Sequence, residues 1–438
     1  MRILLETCML QIPPSLKHKK FFYLWLGQLI SITGTQMQLW ALFWHVNQLD
    51  KNPIALGGIG VARFLPVVIF SLIGGALADS VDRRKVMFIT QSVAAFLALG
   101  LALFTQFENI TIWHIYLITA LQAVVVAFDG PSRQALIPNL LPKKDLPNAF
   151  SMTFTAFQAG AVLGPALSGV IIASFGQAAV YYFNAISFAA VLVALFMIGD
   201  VPQSIAERSA GVSLESIKDG FRFILSKPII FSTMLIDFVA TFFASASTLM
   251  PIIATQVLQV GVVEYGYLSA ASAVGAVAVA LVFSQIKELR NQGKIFLIAV
   301  IIFGIATIVF GFTRSLVVAW IAIAVTGGSD GASTIVRNTI RQLQTPDHVR
   351  GRMTSINQIF FMGGPQLGEI EAGSVAQFFG APFAVITGGI GCIVGTLLVA
   401  WKWPQLWSYY GDEPIEAGES TPTPSAGASM IANRVRKQ

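Results

Sequence analysis

Charge is scarce in this chain. Of its 438 residues only 11% are Asp, Glu, Lys or Arg and 55% are hydrophobic, whereas a soluble domain carries about 25% charged residues. A water-soluble globule is therefore excluded, and a polytopic membrane protein is what remains. Cysteine is nearly missing as well. Cys8 and Cys392 lie at opposite ends of the chain, which leaves no disulfide framework and no CxxC metal site. The four histidines, His18, His45, His114 and His348, fall near predicted span ends or in loops. An intramembrane metal centre lacks ligands, so no metal and no cofactor is expected. No Gly-x-x-x-x-Gly-Lys-(Ser/Thr) loop occurs, which argues against ATP hydrolysis. The net charge of +6 does not point to nucleic acid, because the basic residues form short clusters between apolar runs, the topology signal of a membrane protein.

What the chain has is a succession of apolar runs, each long enough to cross a hydrocarbon layer about 30 Å thick. They cover residues 21–46, 54–78, 86–105, 112–137, 150–175 and 178–198, then 229–257, 265–286, 295–312, 316–340, 354–379 and 382–403. The pattern predicts an all-α membrane protein of twelve spans. Its expected parts are a cytoplasmic tail (1–20), a six-helix bundle (21–198), a cytoplasmic linker (199–228), a second six-helix bundle (229–403) and a largely disordered tail (404–438) rich in Gly, Ser, Thr and Pro. In the linker Leu214, Ile217, Phe221, Ile224 and Leu225 recur at helical spacing, which predicts an amphipathic helix on the membrane surface. With the N-terminus inside, almost every basic cluster falls on the inner face. Only Lys51 and Arg314 fall outside and Arg63 falls within a span, so both termini are expected to be cytoplasmic.

The two halves repeat. An offset of 204 positions lays Arg133 on Arg337, Pro142 on Pro346, Ser151 on Ser355, and Gly160, Gly164, Gly169 and Gly176 on Gly364, Gly368, Gly373 and Gly380. One glycine match would mean little, but this register argues for two related bundles. Between the second and third spans lies Gly74-Gly75-Ala76-Leu77-Ala78-Asp79-Ser80-Val81-Asp82-Arg83-Arg84-Lys85. Its small residues permit close helix contact, and Asp79 is expected to accept from the open N–H groups of the next helix. This stretch resembles the loop between helices 2 and 3 of the major facilitator superfamily, with Asp82 where that family often has Gly. Residues Phe128 to Arg133, and on to Ser151, resemble the enterobactin-exporter-like and macrolide-efflux-like branch. Residues 160–169, with Gly160, Gly164, Pro165 and Gly169, resemble the family's antiporter motif, although ordinary helix packing would use the same residue types.

The resemblance implies a secondary transporter of two pseudo-symmetric bundles that rock around a midplane site. Gly75, Asp79, Asp82, Arg83 and Arg84 are then a latch on the cytoplasmic side. From the residues themselves, Asp237 stands isolated in the seventh run and is the expected proton carrier, unless a neighbouring hydroxyl makes it structural. Gln28, Thr33, Gln36 and Trp40, with Trp44, in the first span suit a wall that holds an amphiphilic ligand, although such aromatics can equally face lipid or the interface. Asp129 and Arg133 are one turn apart and can pair, although Arg133 can equally snorkel to headgroups. Arg63 and Glu371 lie at matching depth and form a candidate outer gate, with Glu369 as the second choice of partner; otherwise Arg63 snorkels and Glu371 faces water. The reading reached is export of a drug-like compound or siderophore in exchange for protons by a monomer in a bacterial inner membrane. It is not an enzyme reading. Movement of lipid or lysophospholipid, and a non-transporting receptor or enzyme on the same bundle, stay open as rivals.

Overall fold

The computed structural model describes residues 13–202, 221–244, 246–286, 289–345 and 347–411, and among these the regular structure is helical with no strand. The first six long helices are α1 (Lys19–Leu49), α2 (Pro53–Ser80), α3 (Arg83–Gln106), α4 (Ile112–Leu136), α5 (Leu146–Phe175) and α6 (Gln177–Ile198). The second six are α7 (Pro228–Phe243), α8 (Val262–Ser284), α9 (Gln292–Phe312), α10 (Leu316–Leu343), α11 (Asp347–Phe379) and α12 (Ala381–Lys402). Ten of them, with α7 taken on to Val257, are long and apolar enough to cross a membrane. The other two, α1 and α11, are 31 and 33 residues long. They fall short on composition, because α1 carries Gln28, Gln36, Gln38 and His45 and α11 carries Gln366, Glu369 and Glu371.

Local chemistry sets the joints. Asn52 caps α2 by accepting from the Ile54 N–H, with Pro53 supplying the fixed φ of a first helical residue. Asp82 caps α3 by accepting from Arg84 N and Lys85 N. Gly176 (φ +83°) and Gly380 (φ +87°) reverse the chain between α5 and α6 and between α11 and α12, a backbone shape that favours glycine. These two residues are mates in the 204-position repeat. Packing obeys the same repeat: α1 lies on α5 and α6 as α7 lies on α11 and α12, and α2 lies on α4 as α8 lies on α10.

The halves meet along two equivalent seams, α5 on α8 and α2 on α11. Both are closest near one end, opposite to the side where α1 begins and α12 ends. Here the two sides are named the far side and the tail side. On the far side a methyl group on Gly373 would lie 3.0 Å from the Gly57 Cα, and one on Gly266 would lie 3.0 Å from the Gly169 Cα. One apolar cluster crosses between the halves there, joining Met37, Phe43 and Trp44 to Met250, Ile253 and Tyr265. On the tail side the clusters keep to one half each, Phe21, Leu24, Met87 and Leu195 in the first and Ile236, Phe296, Ile340 and Tyr409 in the second. Among the described residues the halves are therefore joined on the far side and parted toward the tail side.

One expected span is broken. The apolar run 229–257 forms α7 only as far as Phe243, then a 3₁₀ turn (Ala246–Leu249), a short α segment (Met250–Ile252) and a π turn (Ile253–Val257). Pro251 lacks an N–H and sits in the first turn of the short α segment, where a helix restarts without losing a bond. The repeat mate α1 runs unbroken. In the linker, residues 221–226 are helical and 203–220, with most of the expected amphipathic helix, lie outside the described residues. Of the final tail, 404–411 is folded: Tyr409 is buried and its carbonyl accepts from Gly293 N at 3.0 Å, which caps α9.

Candidate transport site

Asp237 is not isolated. From α7 it meets two arginines of α10: Arg337 Nη1 lies 2.9 Å from Oδ1 and Arg341 Nη2 lies 3.6 Å from Oδ2. All three side chains are 3% exposed or less. Arg337 also reaches Ser333 Oγ (3.0 Å) and the half-exposed Asp330 (3.4 Å). Arg341 donates from Nε to Thr233 Oγ1 (3.1 Å) and from Nη1 to Asn357 Oδ1 (2.5 Å). The four charges cancel. Such a cluster costs a great deal to desolvate, a cost offset here by ion pairing, while both Asp237 oxygens, Arg337 Nε and Arg341 Nη2 lack a hydrogen bond of good geometry. The expectation of a lone carboxyl is corrected because Arg337 and Arg341, one turn apart on α10, share the face that meets α7. That i, i+4 spacing is present in the sequence.

The first half repeats the layout with less charge. Arg133, mate of Arg337, reaches α1 and donates to Gln28 Oε1 at 2.6 Å, where Arg337 reaches Asp237 on α7. Asp129 turns to α3 and accepts from Thr90 Oγ1 (3.0 Å) and Gln91 Nε2 (2.8 Å). Its distance to Arg133 Nη1 is 3.9 Å, so the expected i, i+4 pair is loose. Gln28 and Arg133 border a small cleft with Phe21, Leu24 and Trp25, and the buried Gln28 Nε2 has no partner. Elsewhere on α1, Thr33 bonds its own helix at Leu29 O (2.8 Å) and Gln36 lies against α5 at Gly164. Trp40 sits at the far-side joint, where its carbonyl accepts from Tyr265 Oη of α8 at 3.0 Å and its ring meets the Tyr265 ring edge-on at 6.1 Å. Of the α1 residues expected to form one wall, Gln28 and Trp40 are thus separated toward opposite ends of the helix. Tyr265 was not foreseen.

Across the α2–α11 seam Arg63 Nη1 donates to Glu369 Oε1 at 3.1 Å. The preferred partner had been Glu371, and the structure replaces it with Glu369 for a geometric reason. Residues 366, 369, 370 and 373 form the stripe of α11 that touches Gly57 and Gly60 of α2, and Glu371 lies off that stripe. The Arg63 side chain is 30% exposed and that of Glu369 is 6% exposed.

At the α2–α3 turn the helix-capping acceptor is Asp82, not Asp79 as expected, since Asp82 is the residue directly before α3. The side chains of Gly75 and Asp79 lie outside the described residues. Arg83 Nη1 donates to Ala135 O of α4 (3.2 Å), while Arg84 donates to Leu195 O of α6 (2.9 Å) and Asp200 Oδ1 (3.0 Å). These bonds stay within the first half. In α5, Gly160 and Gly164 pack on α1, where added methyls would strike Ile32 and Gln36, and Gly169 packs on α8. Pro165 presents its carbonyl to Gly266 of α8, so both ends of the motif serve contacts. Among the described residues no group of three or more His, Cys, Asp or Glu could hold a metal.

Comparison with known proteins agrees with this architecture. The family described as transmembrane secretion effector matches residues 12–408. An enterobactin exporter of Citrobacter koseri is 23% identical over 401 residues, covering 92% of this chain and 96% of the relative. A staphyloferrin A transporter of Staphylococcus aureus is 27% identical over 382 residues, covering 86% and 93%. A multidrug efflux pump of Mycolicibacterium fortuitum is 24% identical over 357 residues, covering 79% and 87%. Among solved structures, a bacterial homologue of the human lysosomal transporter Spinster, inward-facing and occupied, superposes with a TM-score of 0.68 at 13% identity, covering 88% of this chain and 97% of that one. A POT family transporter in complex with 5-aminolevulinic acid gives 0.69 at 13% identity, covering 91% and 98%. At that identity the likeness speaks for the fold alone.

Proposed function

This chain belongs to the transmembrane secretion effector family of major facilitator transporters, and from that membership we propose that it exports an amphiphilic small molecule, a siderophore or drug-like compound, in exchange for protons. The observation that carries the reading is the joint: two glycine-lined seams close the far side while polar clusters on α1, α4, α7 and α10 lie between it and the parted tail side. With the tail side cytoplasmic, this is the inward-facing half of an alternating-access cycle. Relatives described as exporting enterobactin, moving staphyloferrin A or expelling multiple drugs support export and the breadth of substrate.

In this cycle the substrate enters between the halves from the cytoplasm and meets Gln28, Arg133 and the rim of the Asp237–Arg337–Arg341 cluster. Arg63 and Glu369 hold the outer side shut until the seams part. Asp79, Asp82, Arg83 and Arg84 act as the inner latch, and Arg84 is held to Leu195 O of α6 and to Asp200 in this state. The chain works as a monomer in a bacterial inner membrane with both termini inside.

Counterflow tests the reading without assuming a driving ion. Purified protein in liposomes loaded with unlabelled enterobactin or ethidium should take up the labelled compound transiently. Redistribution of labelled phospholipid between leaflets, with no small-molecule counterflow, would replace the reading with lipid movement. Binding with no flux of any kind would make the chain a receptor.

A further inference from the structure

Glu369 is placed where a carboxylate is poorly served. It lies ten residues from the far-side end of α11, about 15 Å at the helical rise and so near the middle of the bilayer. Its Oε1 accepts from Arg63, but Oε2 is buried with no hydrogen-bond partner, and so is the Oε1 of Gln366 one turn earlier on the same stripe. A methyl group on Gly60 would touch Glu369 Oε2 at 3.1 Å, so that oxygen is pressed against the backbone of α2 and shut off from water by the closed seam. Both are buried acceptors that no donor serves. One proton on Oε2 would remove the stranded anionic oxygen and supply an O–H on the side of the helix that carries Gln366, while the other oxygen keeps its bond from Arg63.

The repeat adds a second argument. The mate of Glu369 in the first half is Pro165, which fills the equivalent place in the α5–α8 seam with no charge. The joint between halves can be built without an acid, so this one serves something other than the architecture. A metal cation is a poor occupant, because the Arg63 guanidinium on the other oxygen would repel it and hard cations seek six or more oxygens.

We infer that Glu369 is the binding site of the coupling proton, filled from the far side when α2 and α11 part and emptied toward the tail side after they close. This deepens the exchange reading above and rests on it. The O–H bond forms at Oε2 from far-side water and breaks toward water that reaches the partly exposed Arg63. The neutral acid favours the closed seam because closure strips water from Oε2, and the anion favours parting because water then serves both oxygens. Among the described residues the charged groups near this site are few: Arg63 from α2, Glu371 on α11 but off the seam stripe, and Asp237 from α7, which its two arginines hold one turn tailward of the Thr241–Gly364 contact. The turn Ala246–Leu249 packs on both α2 and α11 and brings no ionisable side chain, and α12 brings only the buried Cys392 between its ends.

The test needs no substrate. Full-length protein in liposomes is titrated in sodium-free buffer while the infrared carbonyl stretch of a protonated carboxyl is recorded. A titrating band should be present in the parent and in Glu371→Gln, absent in Glu369→Gln, and present at a shifted position in Glu369→Asp. In parallel, a Val375→Cys reporter at the far-side seam should label faster from outside as pH rises, and in Glu369→Gln should stay slow at every pH. A band unchanged in Glu369→Gln overturns the assignment, as does a band lost in Glu371→Gln alone. A band displaced by sodium at fixed pH would make this a sodium site and also overturns it. Ethidium counterflow in the same liposomes separates the two layers: counterflow with an unchanged band leaves the exporter reading standing and removes only the proton site.

Discussion

Asp237→Asn is the most informative single change in the second half. The substitution keeps the size and one acceptor, removes the negative charge, and leaves Arg337 and Arg341 in a site where both side chains are 3% exposed or less. Among the described residues only the half-exposed Asp330, 3.4 Å from Arg337, then remains to offset two positive charges. Removing one member of a buried ion pair costs about 3–5 kcal/mol. A bilayer-embedded reference state that finds other partners argues for the low end, about 3 kcal/mol, which is roughly a 150-fold shift in the folding equilibrium. The assay is equilibrium unfolding in mixed detergent micelles followed by tryptophan fluorescence. Arg341→Met on top of Asp237→Asn should recover a large part of the loss, because the surviving charges, Arg337 and Asp330, cancel. An isolated carboxyl would behave in the opposite way, since neutralising a lone buried anion stabilises the fold. Stability of Asp237→Asn within about 0.5 kcal/mol of the parent, or above it, refutes the cluster argument.

Other perturbations follow from the same contacts. Gly169→Val places side-chain atoms where a single methyl would already lie 2.6 Å from the Val262 carbonyl oxygen, so far-side closure should fail, and the Val375→Cys reporter should label several-fold faster; unchanged labelling would mean the seam is looser than drawn. Exchanging the charges, Arg63→Glu with Glu369→Arg, should restore a good part of the counterflow lost in either single variant, in protein shown to be folded and inserted. A double variant no better than the worse single one ends the gate argument. Asp82→Ala removes the cap that serves Arg84 N and Lys85 N and should cost about 1 kcal/mol of stability, measured by the same unfolding assay. No loss there would assign the turn's charge to the latch alone.

Much of the fold was legible in the sequence because membranes tax polar backbone so heavily that spans, turns and basic clusters stand out. The glycines of the 204-position repeat argued for two related bundles, and two of them, Gly176 and Gly380, mark the same chain reversal twice. What sequence spacing could not fix was the facing of individual side chains. Arg63 was matched to Glu371 by depth, but depth is a one-dimensional quantity and the stripe of α11 that meets Gly57 and Gly60 selects Glu369. Asp237 read as isolated because its neighbours in sequence are apolar, while its partners lie about a hundred residues on, in α10. The break after Phe243 was hidden for a different reason: an apolar run can be a helix or a 3₁₀–π detour with equal hydropathy, and only packing of Met250 and Ile253 against α1 and α8 decides.

The central claim, export driven by exchange with protons, is tested most directly by the direction of flux. Protein is reconstituted in liposomes, the molecules with cytoplasmic face outward are selected by labelling an exposed tail-side cysteine, and the lumen is made acid. Ethidium or enterobactin should then accumulate in the lumen, reverse when the gradient is reversed, and stop when a protonophore collapses it. Accumulation that ignores the protonophore, or counterflow that never becomes uphill movement under either gradient, contradicts the account.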